Sequence, residues 1–332
     1  MNDSLRKIVE VFAENFPIGK RITVNRMNQL DVFQDSDDGR NIQKALGFVF
    51  LDPSMESEIK GDCQTEMTFK FSPLDYGTIK RQIIGKKCKL VVNEKRTNIN
   101  EYRKMLEDIG ITPELLTILV RHDKSPEFPL SITGNNRMFL EALSGVTAEK
   151  TRLENLKTEV EDSKEQIEVV LNKFIKKNLV IKKEVMEYEI AFVEADLPTR
   201  FTEYLQRISN RTTGFYQIIM EEEVNVQLAL NQAQEVDIKV FRGNVEVGWP
   251  VVQEELLKIA LQLAILEEHD APFLVLDTIN LRDHYKTRLL NILRGLNRQF
   301  LIVDGSDVFR RHFNEYKWRY TFQWLKDHPN RH

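Results

Sequence analysis

Phe273-Leu274-Val275-Leu276-Asp277-Thr278 holds an apolar run closed by a carboxylate, with a hydroxyl residue directly behind it. An unbroken apolar stretch of this length suits a strand buried on both faces. Where such a strand serves nucleotide hydrolysis, its closing Asp holds Mg²⁺ through water and a Glu in the next position polarises the attacking water. Asp277 fills the first of those places, and Thr278 leaves the second without a base. Alone, the run reads more readily as any buried strand leading into a loop, and its neighbours change that reading.

Upstream, Trp249-Pro250-Val251-Val252 leads into a segment with apolar residues at 256, 259, 260, 263 and 264, a helical spacing. Ala271-Pro272-Phe273 opens the strand, Leu289 to Leu296 supplies another helix, and Gln299-Phe300-Leu301-Ile302-Val303-Asp304 a second apolar strand. Alternating helices and apolar strands read as a parallel sheet. The order resembles the carboxyl-terminal lobe of the SMC family of chromosome-organising ATPases. There a Leu-Ser-Gly-Gly-Gln/Glu signature opens the helix, Ala-Pro-Phe leads the Walker B strand and Gln-Phe opens the last strand.

The resemblance extends through the amino-terminal half. Arg81 to Lys87, Asn93-Glu94-Lys95-Arg96-Thr97 and Tyr102 to Gly110 look like the family's strand, turn and helix. Leu119-Val120-Arg121-His122 takes the place of its Q-loop, and Phe139 to Gly145 that of the helix launching its coiled coil. Phe201 to Ser209, with Phe215-Tyr216, resembles the returning helix. Lys86 and Lys87 fall where the third SMC subunit of cohesin carries its acetylated lysine pair, which makes cohesin the favoured relative over condensin and the other SMC complexes.

The residues the family uses for chemistry are replaced one by one. Counting back from Phe48-Val49, the Walker A loop Gly-x-x-x-x-Gly-Lys-Ser becomes Phe33-Gln34-Asp35-Ser36-Asp37-Asp38-Gly39-Arg40. No Lys remains for the β- and γ-phosphates and no hydroxyl for Mg²⁺. Phe33 resists the inward-turned backbone that glycine permits. Asp35, Asp37 and Asp38 oppose a phosphate, since like charges about 4 Å apart repel by roughly 4 kcal/mol at an effective dielectric near 20. Arg40 offsets only part of that. The signature Ser becomes Pro250 and its glycines Val251 and Val252, β-branched residues that refuse positive φ. His122 stands for the Q-loop Gln and Thr278 for the Walker B Glu; Asp277 alone persists. Such losses imply a pseudo-ATPase with no catalytic residue, no ATP or Mg cofactor and no metal site.

At 332 residues, 42% hydrophobic and 30% charged, the chain can bury one large core or two lobes. Cys63 and Cys88 lack the spacing of a zinc site or disulfide framework, which fits a reducing compartment. No run approaches the roughly 18 apolar residues of a membrane span, and Met1 to Lys7 lacks a signal-peptide core. A net charge of −4 removes a global case for nucleic acid, although Lys86-Lys87 with Lys89, or Lys173, Lys176 and Lys177, form local basic patches. Direct DNA contact stays open.

Between the lobes, Val146 to Leu197 contains neither Gly nor Pro. Leu153, Leu156, Val160, Ile167, Leu171, Phe174, Ile181, Val185, Tyr188 and Phe192 recur at steps of three, four and seven, a heptad seam. One straight helix would span about 75 Å at 1.5 Å per residue. Completing the sheet requires the chain to return, so the spacing predicts an antiparallel hairpin turning near Lys176-Lys177-Asn178. The family's long coiled coil and hinge are absent from this stretch.

The reading is an α/β, ABC-type (SMC/Rad50-like) ATPase head with a short antiparallel coiled-coil neck. Residues 1–145 form an amino-terminal lobe with a degenerate Walker A, 146–198 the neck and 199–332 a carboxyl-terminal lobe with degenerate signature and Walker B. Strands are expected around Arg21–Val24, Glu66–Phe71 and Lys89–Val92, with a loop over Ser72–Gly77. The aromatic tail Trp318 to Trp324 reads as packing at a core edge. The resemblance implies a nuclear, chromosome-associated protein that binds a cohesin or condensin SMC subunit or its kleisin. Partner-binding candidates are Lys86, Lys87, Leu153, Val160, Ile167, Val185 and Phe192, with neck contact favoured over the head face. A residual nucleotide-binding DNA-repair ATPase of the Rad50 and RecF kind is the alternative.

Overall fold

The computed structural model describes residues 7–16, 21–25, 30–33, 36–72, 75–120, 136–169, 173–247, 251–296, 298–306 and 308–309. In chain order these form β1 (Lys7–Glu14), β2 (Arg21–Asn25), β3 (Leu30–Phe33), α1 (Ser36–Val49), a 3₁₀ turn (Pro53–Glu58), β4 (Cys63–Ser72), β5 (Asp75–Ile84), β6 (Lys87–Val92), β7 (Lys95–Thr97), α2 (Ile99–Asp108) and α3 (Pro113–Leu119). There follow α4 (Arg137–Leu143), α5 (Val146–Val169), α6 (Lys173–Met220), β8 (Asn225–Leu230), β9 (Val236–Arg242), β10 (Val245–Glu246), α7 (Val251–Glu268), β11 (Phe273–Asp277), α8 (Asp283–Gly295) and β12 (Gln299–Val303). The chain divides into two compact units, one of residues 1–128, 211–224 and 248–332, the other of 129–210 and 225–247.

The first unit holds two sheets. β11, β12 and β3 form the parallel sheet that the alternating helices and strands predict, in the order β11-β12-β3. A six-stranded antiparallel sheet runs β2-β1-β4-β5-β6-β7. Helix α1 buries Ile42, Ala45, Leu46 and Val49, spaced by three and four residues on one face. Ile42, Leu46 and Val49 each contribute about 1.5–3 kcal/mol by leaving water. Phe48 stacks on Phe16 with ring centroids 4.2 Å apart. Helix α7 buries Leu256, Ile259, Ala260, Leu263 and Ala264 as the spacing predicts, and Leu257, Leu261 and Ile265 besides, so it is apolar nearly all round, as a central helix is.

Gln299, at the start of β12, reaches the first strand. Its Oε1 accepts from Ile8 N and its Nε2 donates to Ile8 O, both at 2.8 Å. That amide serves the backbone where the β1–β4 register shifts between Ile8 and Glu10. The bulge also explains why β1 escapes a period-two reading: its buried residues are Ile8, Val11 and Ala13.

The strand predictions at 21–24, 66–71 and 89–92 fall inside β2, β4 and β6. The loop expected over Ser72–Gly77 is corrected: β4 continues to Ser72 and β5 already contains Tyr76 and Gly77. Lys70 pairs with Tyr76 and Phe69 with Gly77 across that hairpin, so ladder pairing outweighs the local Pro and Gly signals.

The second unit contains α4, α5, α6 as far as Asn210, and an antiparallel sheet of order β10-β9-β8. The helical pair is antiparallel: Glu149 meets Arg200, Lys157 meets Glu194 at 3.0 Å and Glu159 meets Lys182 at 3.8 Å, partner numbers falling as α5 numbers rise. Two neck expectations are corrected. Lys176-Lys177-Asn178 lies within α6, which starts at Lys173, so the turn is not at those residues. The apolar seam also takes a different register on the returning arm. Leu153 and Val160 of α5 are buried as expected, Ile167 is half-buried, and α6 buries Met186 and Leu197. Ile181, Val185, Tyr188 and Phe192 are 49%, 62%, 76% and 64% exposed. α6 carries two apolar stripes, and spacing alone does not say which one faces its partner.

Candidate functional site

The carboxyl ends of the three parallel strands lie level, because Val303 of β12 pairs with Asp277 of β11 on one side and with Phe33 of β3 on the other. That end of a parallel α/β sheet is where such folds place ligands. The structure therefore places Phe33, at the end of β3, level with Asp277 but one strand away, with β12 between them.

The loop itself is different from the expectation. β3 ends at Phe33 and α1 begins at Ser36, so two residues join them, where the Gly-x-x-x-x-Gly-Lys pattern spends its length on a phosphate cradle. Residues 36–40, expected in an acidic loop, lie in the opening turns of α1, Asp38, Gly39 and Arg40 among them. Gly39 is buried, and a Cβ there would stand 2.4 Å from Val303 Cγ1. The glycine is needed for α1 to lie on β12; a side chain at that point meets the sheet before it meets a ligand.

Asp277 closes β11 with its edge in solvent and accepts a hydrogen bond from Ile279 N at 3.1 Å. Its carboxyl sits above the ordinary Asp range, chiefly through burial; the Ile279 N–H and the Arg40 guanidinium pull it down, while Asp304 and Glu255 push it up. Beside it opens a cavity of about 300 Å³ lined by Arg40, Gln43, Lys258, Gln262 and Asn280. Lys258 is committed to Glu254 and Glu255 at 3.1 and 3.2 Å, and Gln262 Nε2 donates to Ile118 O at 3.3 Å. Two of these five polar groups, Lys258 and Gln262, thus already serve the protein.

Thr278 is fully buried rather than turned toward the cavity. Its N–H donates to Val303 O at 3.0 Å, and its hydroxyl donates to Asp304 Oδ2 at 2.9 Å. Asp304 Oδ1 accepts from Lys286 Nζ at 3.0 Å and from Ser306 N at 2.6 Å. Lys286 is 2% exposed and Asp304 0%, a buried ion pair in which Lys286 Nζ also donates to Ser306 Oγ at 3.1 Å. The motif reading missed both partners. Lys286 carries a signal, since it shares a helix face with Leu289, Leu290 and Leu293, where a lysine needs a reason. Asp304 directly follows the last residue of β12, as Thr278 follows that of β11.

Asp35, His122 and Pro250 lie outside the described residues, as do Leu171 and the tail from Trp318 to Trp324. Val251 and Val252 open α7. Lys86 and Lys87 are exposed at the β5–β6 hairpin, where Gly85 and Lys86 both hold positive φ, 53° and 66°. Among the partner-binding candidates of the neck, Leu153 and Val160 point into the helix pair, Ile167 is half-buried, and Val185 and Phe192 face solvent. Among the described residues no cluster of His, Cys, Asp and Glu is arranged to hold a metal, and no helix is long and apolar enough to cross a membrane.

No family model matches the sequence, and no curated protein does. Solved structures do. The Smc head domain of Pyrococcus furiosus, with an extended coiled coil and bound to the C-terminal domain of ScpA, is similar with a TM-score of 0.71 at 16% identity, over 92% of this chain and 91% of that one. The Smc head domain of Pyrococcus yayanosii, with a coiled coil and joint, is similar with a TM-score of 0.72 at 13% identity, over 92% and 93%. The recombination mediator protein RecF is similar at 0.55 and 14% identity, over 92% and 94%. The chain has the α/β fold of an SMC-type ABC ATPase head with a coiled-coil neck.

Proposed function

We propose that this chain is a non-catalytic, SMC-like pseudo-ATPase head that binds and modulates a chromosome-organising SMC complex, cohesin or condensin, through a kleisin or SMC-head contact in the nucleus. The observation that carries the reading is the two-residue link between β3 and α1, which leaves no length for a phosphate loop. The buried Thr278–Asp304–Lys286 network supports it, because the place of a catalytic Glu is taken by a hydroxyl engaged inside the protein. A head that holds no nucleotide keeps its surfaces for protein contacts. The similar Smc head of Pyrococcus furiosus was crystallised with ScpA bound, and the neck here keeps several turns of paired helix. Neck contact is favoured over face contact, since helix-on-helix docking draws its energy from apolar residues that this neck exposes.

A second reading, a residual nucleotide-binding ATPase of the Rad50 and RecF kind, is favoured by the polar cavity beside Asp277. Affinity purification of the tagged chain from its own cells separates the two. The proposal expects stoichiometric SMC or kleisin subunits, lost when charges are introduced on the solvent side of residues 150–195. Recovery without any SMC or kleisin chain contradicts it.

A further inference from the structure

The outward stripe of α6 is unusual for a two-helix neck. Ile181, Val185, Tyr188 and Phe192 follow one another at steps of four, three and four, the spacing of a second heptad seam. All four are exposed, while Met186 and Leu197 on the other side of the same helix are buried. Contiguous apolar residues of this size in solvent mark an interaction surface.

The residues flanking the stripe identify its occupant. On a helix of 3.6 residues per turn, Lys177, Glu184 and Ala191 border one side, and Lys182, Glu189 and Asp196 the other. If two copies of α6 paired in parallel, opposite borders would meet, setting Lys177 against Lys182 and Glu184 against Glu189 of the second copy. Both contacts repel. In an antiparallel pair each border meets itself, so Lys182 meets Glu189 of the second copy and Glu189 meets its Lys182. The stripe then aligns Ile181 with Phe192 and Val185 with Tyr188. Glu184 falls opposite Ala191, so no like-charged flanking pair remains.

Within the chain, Lys182 touches Glu159 at 3.8 Å and Glu189 is engaged by Arg152. Both are solvent-exposed ion pairs of the kind worth little on their own, and both leave room for a second opposite charge. We infer that the outer face of α6 is a self-association surface, on which two copies of this chain pair antiparallel through Ile181, Val185, Tyr188 and Phe192. The inference goes beyond the SMC-binding proposal, and it also regulates it: a neck paired with its own copy hides the exposed apolar residues that a foreign helix would use.

Sedimentation velocity of the full chain over roughly 1–100 µM tests it. The dimer fraction should rise with concentration, and Tyr188→Glu should abolish it with an unchanged circular dichroism spectrum, since that side chain supports no core. Lys182→Glu and Glu189→Lys should each weaken dimerisation about tenfold or more. An equimolar mixture of the two single variants should recover it, because the heterodimer restores both opposite-charge contacts. A monomer at every concentration, a dimer indifferent to Tyr188→Glu, or a mixture no better than either variant alone overturns the inference. None of those results bears on whether SMC or kleisin subunits are captured.

Discussion

Thr278 donates its hydroxyl to the carboxylate of Asp304 at 2.9 Å, and neither residue reaches solvent. The contact ties the end of β11 to the end of β12. Lys286 from α8 completes the network at 3.0 Å. A lysine and an aspartate this deep are tolerable only together, since each alone is an uncompensated charge in a low dielectric.

Removing one partner should therefore cost more than removing both. Lys286→Met is expected to lower the unfolding free energy by about 3–5 kcal/mol. Lys286→Met combined with Asp304→Asn should lose clearly less, because the neutral amide still accepts from Thr278. Urea denaturation of the three proteins decides this, and a double variant weaker than Lys286→Met would show that the pair is not the source of the loss.

Rebuilding the catalytic motif should not rebuild catalysis. In the sequence Gly39 aligns with the Walker A lysine, and Val303 Cγ1 lies 2.4 Å from any Cβ placed there. Gly39→Lys and Gly39→Ala should each destabilise by about 1–3 kcal/mol through overpacking. Thermal melts read the loss, and phosphate release by Gly39→Lys combined with Thr278→Glu should stay at background. Turnover by that variant would mean the phosphate site is intact but for two residues.

The neck register gives a contrast within one helix. Met186→Asp buries a charge in the seam and should cost roughly 3 kcal/mol, whereas Phe192→Asp, measured at a concentration where the chain is monomeric, should change stability by no more than about 0.5 kcal/mol. Equal effects in melting experiments would return Phe192 to the seam.

Asp277 should respond to pH in a definite direction. Its carboxyl is raised above the unfolded value by burial, so its contribution to stability is full below the unfolded pKa and is lost as pH rises through the folded one. At neutral pH the ionised group costs stability, and Asp277→Asn should melt higher than the parent. The difference should vanish below about pH 3.9, where Asp is protonated in both states. A variant that melts lower at pH 7 would show that the carboxylate is favourably held.

Much of the head was readable because buried parallel strands leave unbroken apolar runs: β11 and β12 stand at the positions their sequence marks, and α7 buries all five residues that its spacing singles out. The candidate site was readable only as departures from the motifs that the resemblance implies. Thr278 stands out in the sequence by its place behind Asp277, but its hydrogen bond to Asp304, itself paired with Lys286, joins residues 26 and 8 positions away that the sheet and α8 bring together. The neck shows the limit of periodicity. Val185 and Met186 are adjacent, each belongs to a heptad-spaced apolar stripe, and only the packed partner distinguishes the buried one from the exposed one. β1 was hidden for another reason, its bulge breaking the alternation that would announce a strand.

The central claim is that this chain keeps the fold of an SMC-type head without its nucleotide chemistry, and a calorimetric titration of the purified protein with Mg-ATP, checked by thermal melting, tests it most directly. A ligand present at 100 times its Kd would stabilise the fold by about 2.7 kcal/mol. The account predicts no binding heat, no shift in Tm and no release of phosphate. A micromolar Kd for ATP, or hydrolysis that disappears in Asp277→Asn, would contradict it.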